Sequence, residues 1–173
     1  SGIEQWMKSM EDKAMELTES FLEVKTIGGL GVNLFMVALL PGIGEELFFR
    51  GVLQKLFLKW FKNIHIAIIV TSVLFSALHM QFFGFIPRLL LGMLFGYLYA
   101  WSGSIWYPIW AHLLHNTMPV VGYYLYASDL SNTSMDDIGT SGNTWMWALG
   151  GLVLLVIFVK RFRDRFADFE LKT

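Results

Sequence analysis

An all-α, polytopic transmembrane helix bundle with an amphipathic helix at its N-terminal end is the fold class this chain predicts, and three observations carry it. Hydrophobic residues make up 55% of the 173 and charged residues only 16%, with a mean hydropathy of +0.52; one soluble core of this size needs far less apolar material. Four stretches nearly free of charge, 26–44, 64–80, 89–126 and 144–159, are parted by polar or basic breaks. Lysines and arginines collect at the ends of such stretches, as at Lys55, Lys59, Lys62 and the run Lys160-Arg161-Phe162-Arg163-Asp164-Arg165, the pattern of side chains flanking a bilayer. A net charge of -1 without a basic stripe sets nucleic acid aside. The absence of cysteine removes disulfides, thiolate metal sites and a cysteine nucleophile.

Each element follows in order. Residues 3–23 repeat Ile3, Trp6, Met7, Met10, Ala14, Leu17 and Phe21 at helical spacing, with Glu4, Lys8, Glu11, Asp12, Glu16 and Glu19 between them, so they form an amphipathic helix that lies in the membrane interface or covers its neighbours. Residues 28–60 read as one long helix with a kink expected near Pro41. A second apolar helix, 64–80, ends at the aromatic loop Gln81 to Phe85 and carries His79 in its last turn; Pro87 and Arg88 start the next. Ser102-Gly103-Ser104 and Pro108 divide the third stretch into two helices joined by a tight turn. The fourth stretch, 144–159, follows a polar segment, 127–143, that holds no lysine or arginine. The expected organisation is an amphipathic helix over 1–25, a transmembrane bundle over 26–160 and a basic-to-mixed tail over 161–173. No signal-peptide pattern opens the chain, and its Ser1-Gly2 start reads as that of a fragment.

Placing the basic ends in the cytoplasm gives one alternating path across the membrane. Gly92 and Gly96 form a small-xxx-small pair, and Trp101, Trp106, Tyr107 and Trp110 gather at the turn; both are packing and interface features. Asn132-Thr133-Ser134 matches a glycosylation tripeptide at a frequency that chance explains.

The candidate site begins at Glu45-Glu46-Leu47-Phe48-Phe49-Arg50, where ionisable groups interrupt an apolar stretch and are costly to bury. Glu46 and Arg50 stand four residues apart and can neutralise each other, whereas Glu45 is rotated by about 100° and has no basic partner at that spacing. His79, His112 and Asn116 are the other polar groups of interest, the last two on one helical face. At about 1.5 Å per residue, Glu45 stands roughly 22 Å above the lysine-rich end of its helix and His79 at a similar height above Asn63. The helix from Arg88 to Trp101 is only about 21 Å long, which lifts His112 towards the same level. His65 and His115 read as interface or packing residues.

Glu45-Glu46-x-x-x-Arg50, Phe75-x-x-x-His79 and His112-x-x-x-Asn116 resemble, in order and spacing, the three motifs of the CAAX prenyl endopeptidase and bacteriocin-processing family (CPBP, or Abi) of intramembrane glutamate-type proteases. The resemblance covers about residues 30–120, and Gly92, Gly96, Tyr97, Gly103 and Ser104 are similar to the residues usual between those motifs. It implies a metal-independent membrane endopeptidase in which Glu45 and His79 activate water, His112 and Asn116 hold the oxyanion, and Glu46 and Arg50 support them. It further implies a prenylated-protein or peptide-precursor substrate and, for the chain, a bacterial cytoplasmic membrane. The chemistry is sound: a desolvated carboxylate can take a proton from water and return it to a leaving amine, and N–H donors stabilise charge growing in a low-dielectric site.

Two other readings remain open. Glu45, His79 and His112 match in residue type the three protein ligands of a catalytic zinc, though no His-Glu-x-x-His helix is present. The same polar cluster could also fix helix packing in a non-catalytic bacteriocin-immunity or regulatory membrane protein. A prenylated substrate would require cytoplasmic access, whereas the positive-inside path sets the site nearer the opposite face.

Overall fold

The structure, a computed structural model, describes residues 2–128, 130, 131 and 145–167. Six helices and no strand are present among the described residues: α1 (Gly2–Leu22), α2 (Ile27–Phe61), α3 (Ile64–Leu78), α4 (Phe85–Ser102), α5 (Trp106–Ala127) and α6 (Trp145–Arg165). Ile27–Phe61 and Phe85–Ser102 are long and apolar enough to cross a membrane, and Ile64–Leu78 is a shorter apolar helix. Most of the polar segment 127–143 and the end of the tail, 168–173, lie outside the described residues.

Local chemistry sets the boundaries. Thr26 caps α2 by accepting the Gly29 N–H at 3.1 Å, and Lys62 closes it in the left-handed conformation, φ 50°. Asn63 caps α3 by accepting from the amides of His65 and Ile66. The tight turn between α4 and α5 is made by Gly103 at φ 64°, a conformation that glycine takes without a Cβ clash. His79 stands one place beyond the expected helix turn: α3 ends at Leu78, and the histidine occupies the C-cap. α6 continues unbroken through Arg165.

Pro41 is accommodated differently from a simple kink. The helix runs on through it, but the ladder widens to π-type bonding over Leu34–Leu39, ending two residues before the proline. Proline supplies no N–H to the Val37 carbonyl four residues earlier, and Asn116 Nδ2 from α5 donates to that carbonyl at 3.1 Å. A second π stretch, Leu47–Gln54, follows the two glutamates. Such turns recur at functional positions of helices.

Small residues bring α3 and α4 together. A Cβ on Gly92 would stand 3.1 Å from Ser72 Cβ, and one on Gly96 would stand 2.9 Å from Ile68 Cγ2, so the pair admits a close approach that larger residues would prevent. The same two residues receive α2: Arg50 Nη2 donates to Gly92 O at 2.9 Å and Gln54 Nε2 to Gly96 O at 3.1 Å. Two donors spaced by four residues on one helix therefore meet two carbonyls spaced by four on another.

α1 packs on the bundle. Trp6 lies 5.5 Å from the Phe82 ring, Glu11 Oε2 accepts the Phe83 N–H at 3.3 Å, and Asn33 Nδ2 donates to Phe21 O at 2.6 Å. These contacts hold α1 against its neighbours, while Met15, Leu17 and Phe21 stay exposed. α6 is held near its basic end, where Phe162 joins the apolar cluster of Phe95 and Leu98 and meets the Tyr107 ring edge-on at 5.1 Å. From Leu152 to Phe158 its apolar side chains are exposed, a surface suited to lipid.

Candidate active site

Glu46 and Arg50 form the buried foundation of the site. Both are fully enclosed, and Arg50 Nη1 donates to Glu46 Oε1 at 2.8 Å. The guanidinium also lies over the Phe75 ring at 4.9 Å and the Phe95 ring at 5.4 Å, so its charge is met by a carboxylate, a carbonyl and two aromatic faces. The i, i+4 pair expected from the sequence is therefore present. Its further partner, unforeseen there, is His112: Nδ1 of that ring donates to the same Glu46 Oε1 at 2.8 Å, and Phe95 stacks on the ring at 5.1 Å.

Glu45, one residue earlier, faces elsewhere. Its Oε2 stands 3.9 Å from His79 Nε2 and 3.9 Å from His112 Nε2 and makes no hydrogen bond. These separations are too long for direct hydrogen bonds and suit a bridging water. His79 is held by its own Nδ1, which donates to Phe75 O at 2.7 Å. A carbonyl or ionised carboxylate only accepts, so both rings carry their first proton on Nδ1 and turn Nε2 towards Glu45.

The four residues singled out in the sequence meet in one cavity of about 300 Å³. α2 contributes Val37, Pro41 and Glu45, α3 contributes Phe75 with His79 at its cap, and α5 contributes His112, Asn116 and Pro119. The matched heights of Glu45 and His79 are thus realised. Asn116 spends one amide N–H on Val37 O and retains a second.

Two ionisable residues of the cavity wall were not expected there from the sequence. His115, assigned to packing, lines the same cavity, as does Arg88, which was read as a helix start. His115 is three residues from His112, and a rotation of about 60° was too small to carry it off the wall. Arg88 was visible by the rule that singled out Glu45, an ionisable group in an apolar stretch without a partner at helical spacing. His65 is accounted for by packing: its Nδ1 meets Tyr97 Oη at 2.8 Å. Among the described residues no trio of histidine, aspartate or glutamate side chains is arranged to hold a metal ion.

Residues 28–118 match the family model of the type II CAAX prenyl endopeptidase Rce1-like proteins, a span containing Glu45, Glu46, Arg50, His79, His112 and Asn116. The chain belongs to this family. It is 31% identical over 107 residues to the Bacillus subtilis (strain 168) protein named "Putative membrane peptidase YdiL", covering 61% of this chain and 42% of the relative. It is also 31% identical over 86 residues to "Uncharacterized protein YpbD" of the same organism, covering 47% and 41% respectively. The matched regions thus amount to about two-fifths of each curated relative. No solved structure matches. Membership in the Rce1-like family, with the apolar helices, makes this an integral membrane protein of a peptidase family.

Proposed function

We propose that this Rce1-like chain carries the active site of an intramembrane endopeptidase of the glutamate type, and that it works in a bacterial cytoplasmic membrane. The observation that carries the reading is the convergence of the unbonded Glu45 Oε2 with the Nε2 atoms of His79 and His112, each at 3.9 Å, in a cavity also lined by Asn116. A water placed between Glu45 and His79 gives its proton to Glu45 as its oxygen bonds to the peptide carbonyl carbon. When the C–N bond breaks, Glu45 returns that proton to the leaving amine.

The oxyanion falls to His112 and Asn116. Because the His112 Nδ1–H is committed to Glu46, the ring can donate from Nε2 only as an imidazolium. Asn116 donates through the N–H not bound to Val37. Glu46 and Arg50 hold His112 in place without touching the substrate.

The substrate class, by family, is a prenylated or otherwise membrane-associated peptide. The test uses the full chain in detergent with an internally quenched peptide bearing an S-farnesylcysteine. Cleavage should continue with chelator present and stop in Glu45→Gln. Turnover that survives this substitution removes the mechanism. A zinc reading draws on the two Nε2 atoms turned towards one carboxylate; activity lost to chelator and restored by zinc would favour it. Uncut precursors in membranes of cells bearing Glu45→Gln would identify natural substrates.

A further inference from the structure

A second cavity, of about 890 Å³, lies away from the active site, where the basic end of α6 meets the start of α5. α6 lines it with Arg161, Asp164 and Arg165 beside the rings of Phe158 and Phe162, and α5 contributes Tyr107. Positions 158, 161, 162 and 165 recur at the spacing of one helical face, so the two arginines stand one turn apart, about 6 Å along the axis. Both are exposed, and neither closes an ion pair among the described residues. Asp164 on the same wall leaves the cavity net positive. Lys160 and Arg163, the other basic residues of this run, do not line it.

The surroundings place this cavity at a membrane boundary. Trp106 and Trp110, at the start of α5, are exposed, as aromatic residues at a bilayer interface are. From Leu152 to Phe158 the apolar side chains of α6 are exposed as well, so an acyl chain lying along them brings its glycerol to Phe158. The phosphate then falls three to seven residues further on, about 5–10 Å, which is the level of Arg161 and Arg165.

Two unpaired guanidinium groups one turn apart match the two free oxygens of a phosphate diester. The aromatic rings offer a wall for the glycerol backbone, and the Asp164 carboxylate can accept from a headgroup hydroxyl. We propose that this cavity binds an anionic glycerophospholipid of the phosphatidylglycerol type, its phosphate held between Arg161 and Arg165. The lipid would fasten α6 where that helix is held: Phe162 lines the cavity and also joins the cluster of Phe95 and Leu98, and Phe95 stacks on His112.

The test is native mass spectrometry of the full chain in detergent, with phosphatidylglycerol, phosphatidylethanolamine or phosphatidylcholine of identical acyl chains added singly. The wild type should bind phosphatidylglycerol about 10- to 100-fold more tightly than the other two, the range of charge-assisted hydrogen bonds. Arg161→Gln with Arg165→Gln should bring the ratio to near one, and Arg165→Gln alone should give an intermediate value. Lys160→Gln with Arg163→Gln removes the same charge outside the cavity and should keep most of the preference. Phosphatidylglycerol should also raise the Tm of the wild type but not that of the Arg161 and Arg165 double variant.

Equal binding of the three lipids overturns the proposal. So does an equal loss in the two double variants, which would mean diffuse attraction to a basic helix end. Displacement of the lipid by inorganic phosphate at matched concentration would assign the arginines to a small soluble anion and overturn it too. Because neither arginine makes an ion pair, both replacements should leave elution and unfolding of the lipid-free protein unchanged. Binding is read without turnover, so the outcome is independent of the endopeptidase reading.

Discussion

Replacing Glu46 by glutamine is the sharpest probe of how this site is held. Glu46 and Arg50 are both wholly enclosed and 2.8 Å apart, and the same carboxylate oxygen holds His112. The substitution keeps the shape and removes the countercharge, leaving a guanidinium sealed among Phe49, Phe75 and Phe95. Breaking a buried pair from one side costs about 3–5 kcal/mol, because the remaining charge is stranded. At roughly 2–4 °C per kcal/mol for a chain of this length, Tm should fall by about 6–20 °C. Arg50→Met should cost a similar amount by stranding Glu46. The double variant should be less destabilised than the sum of the two by about 2 kcal/mol, since no charge is left behind. The assay is thermal unfolding in detergent followed by tryptophan fluorescence on all four proteins. Single losses below about 1 kcal/mol, the size of an exposed pair, or additivity within about 0.5 kcal/mol, would refute the buried-pair argument.

Other expectations can be checked with the same preparations. Glu45→Gln should change Tm little, because Oε2 makes no hydrogen bond, although turnover is lost; a large destabilisation would mean that the residue is structural. Asn116→Ala should lower kcat by about 10²–10³-fold, the usual cost of one oxyanion donor, and a change confined to KM would contradict the role. Gly96→Ala should cost about 1–3 kcal/mol because its Cβ would meet Ile68 at 2.9 Å. Gly44→Ala, with nothing within 4 Å of its new Cβ, should be neutral or slightly stabilising in unfolding measurements.

What the sequence disclosed was what helical geometry encodes. The Glu46–Arg50 spacing foretold an ion pair, counting 1.5 Å per residue put Glu45 and His79 at one height, and His112 and Asn116 shared a face. What it withheld depends on how helices rotate against one another. Glu46 meets His112 across 66 residues of chain, and no local spacing announces that contact. Gln54 and Gly96 likewise find each other only through the approach of α2 to α4. The two π stretches shift the angular count within α2, so a uniform helical wheel misplaces residues beyond them. His115 was set aside by applying too narrow an angular window to a wall that spans several residues of α5.

The proline in α2 gives the site its alignment in an indirect way. By withholding a backbone proton, Pro41 leaves the oxygen of Val37 open to a side chain from another helix, and Asn116 takes it. Restoring that proton with Pro41→Ala would set two donors in competition for one oxygen, freeing the asparagine to swing. A gap in one helix thereby acts as a fixed socket for another, and the amide's second hydrogen inherits its aim from a residue that performs no chemistry.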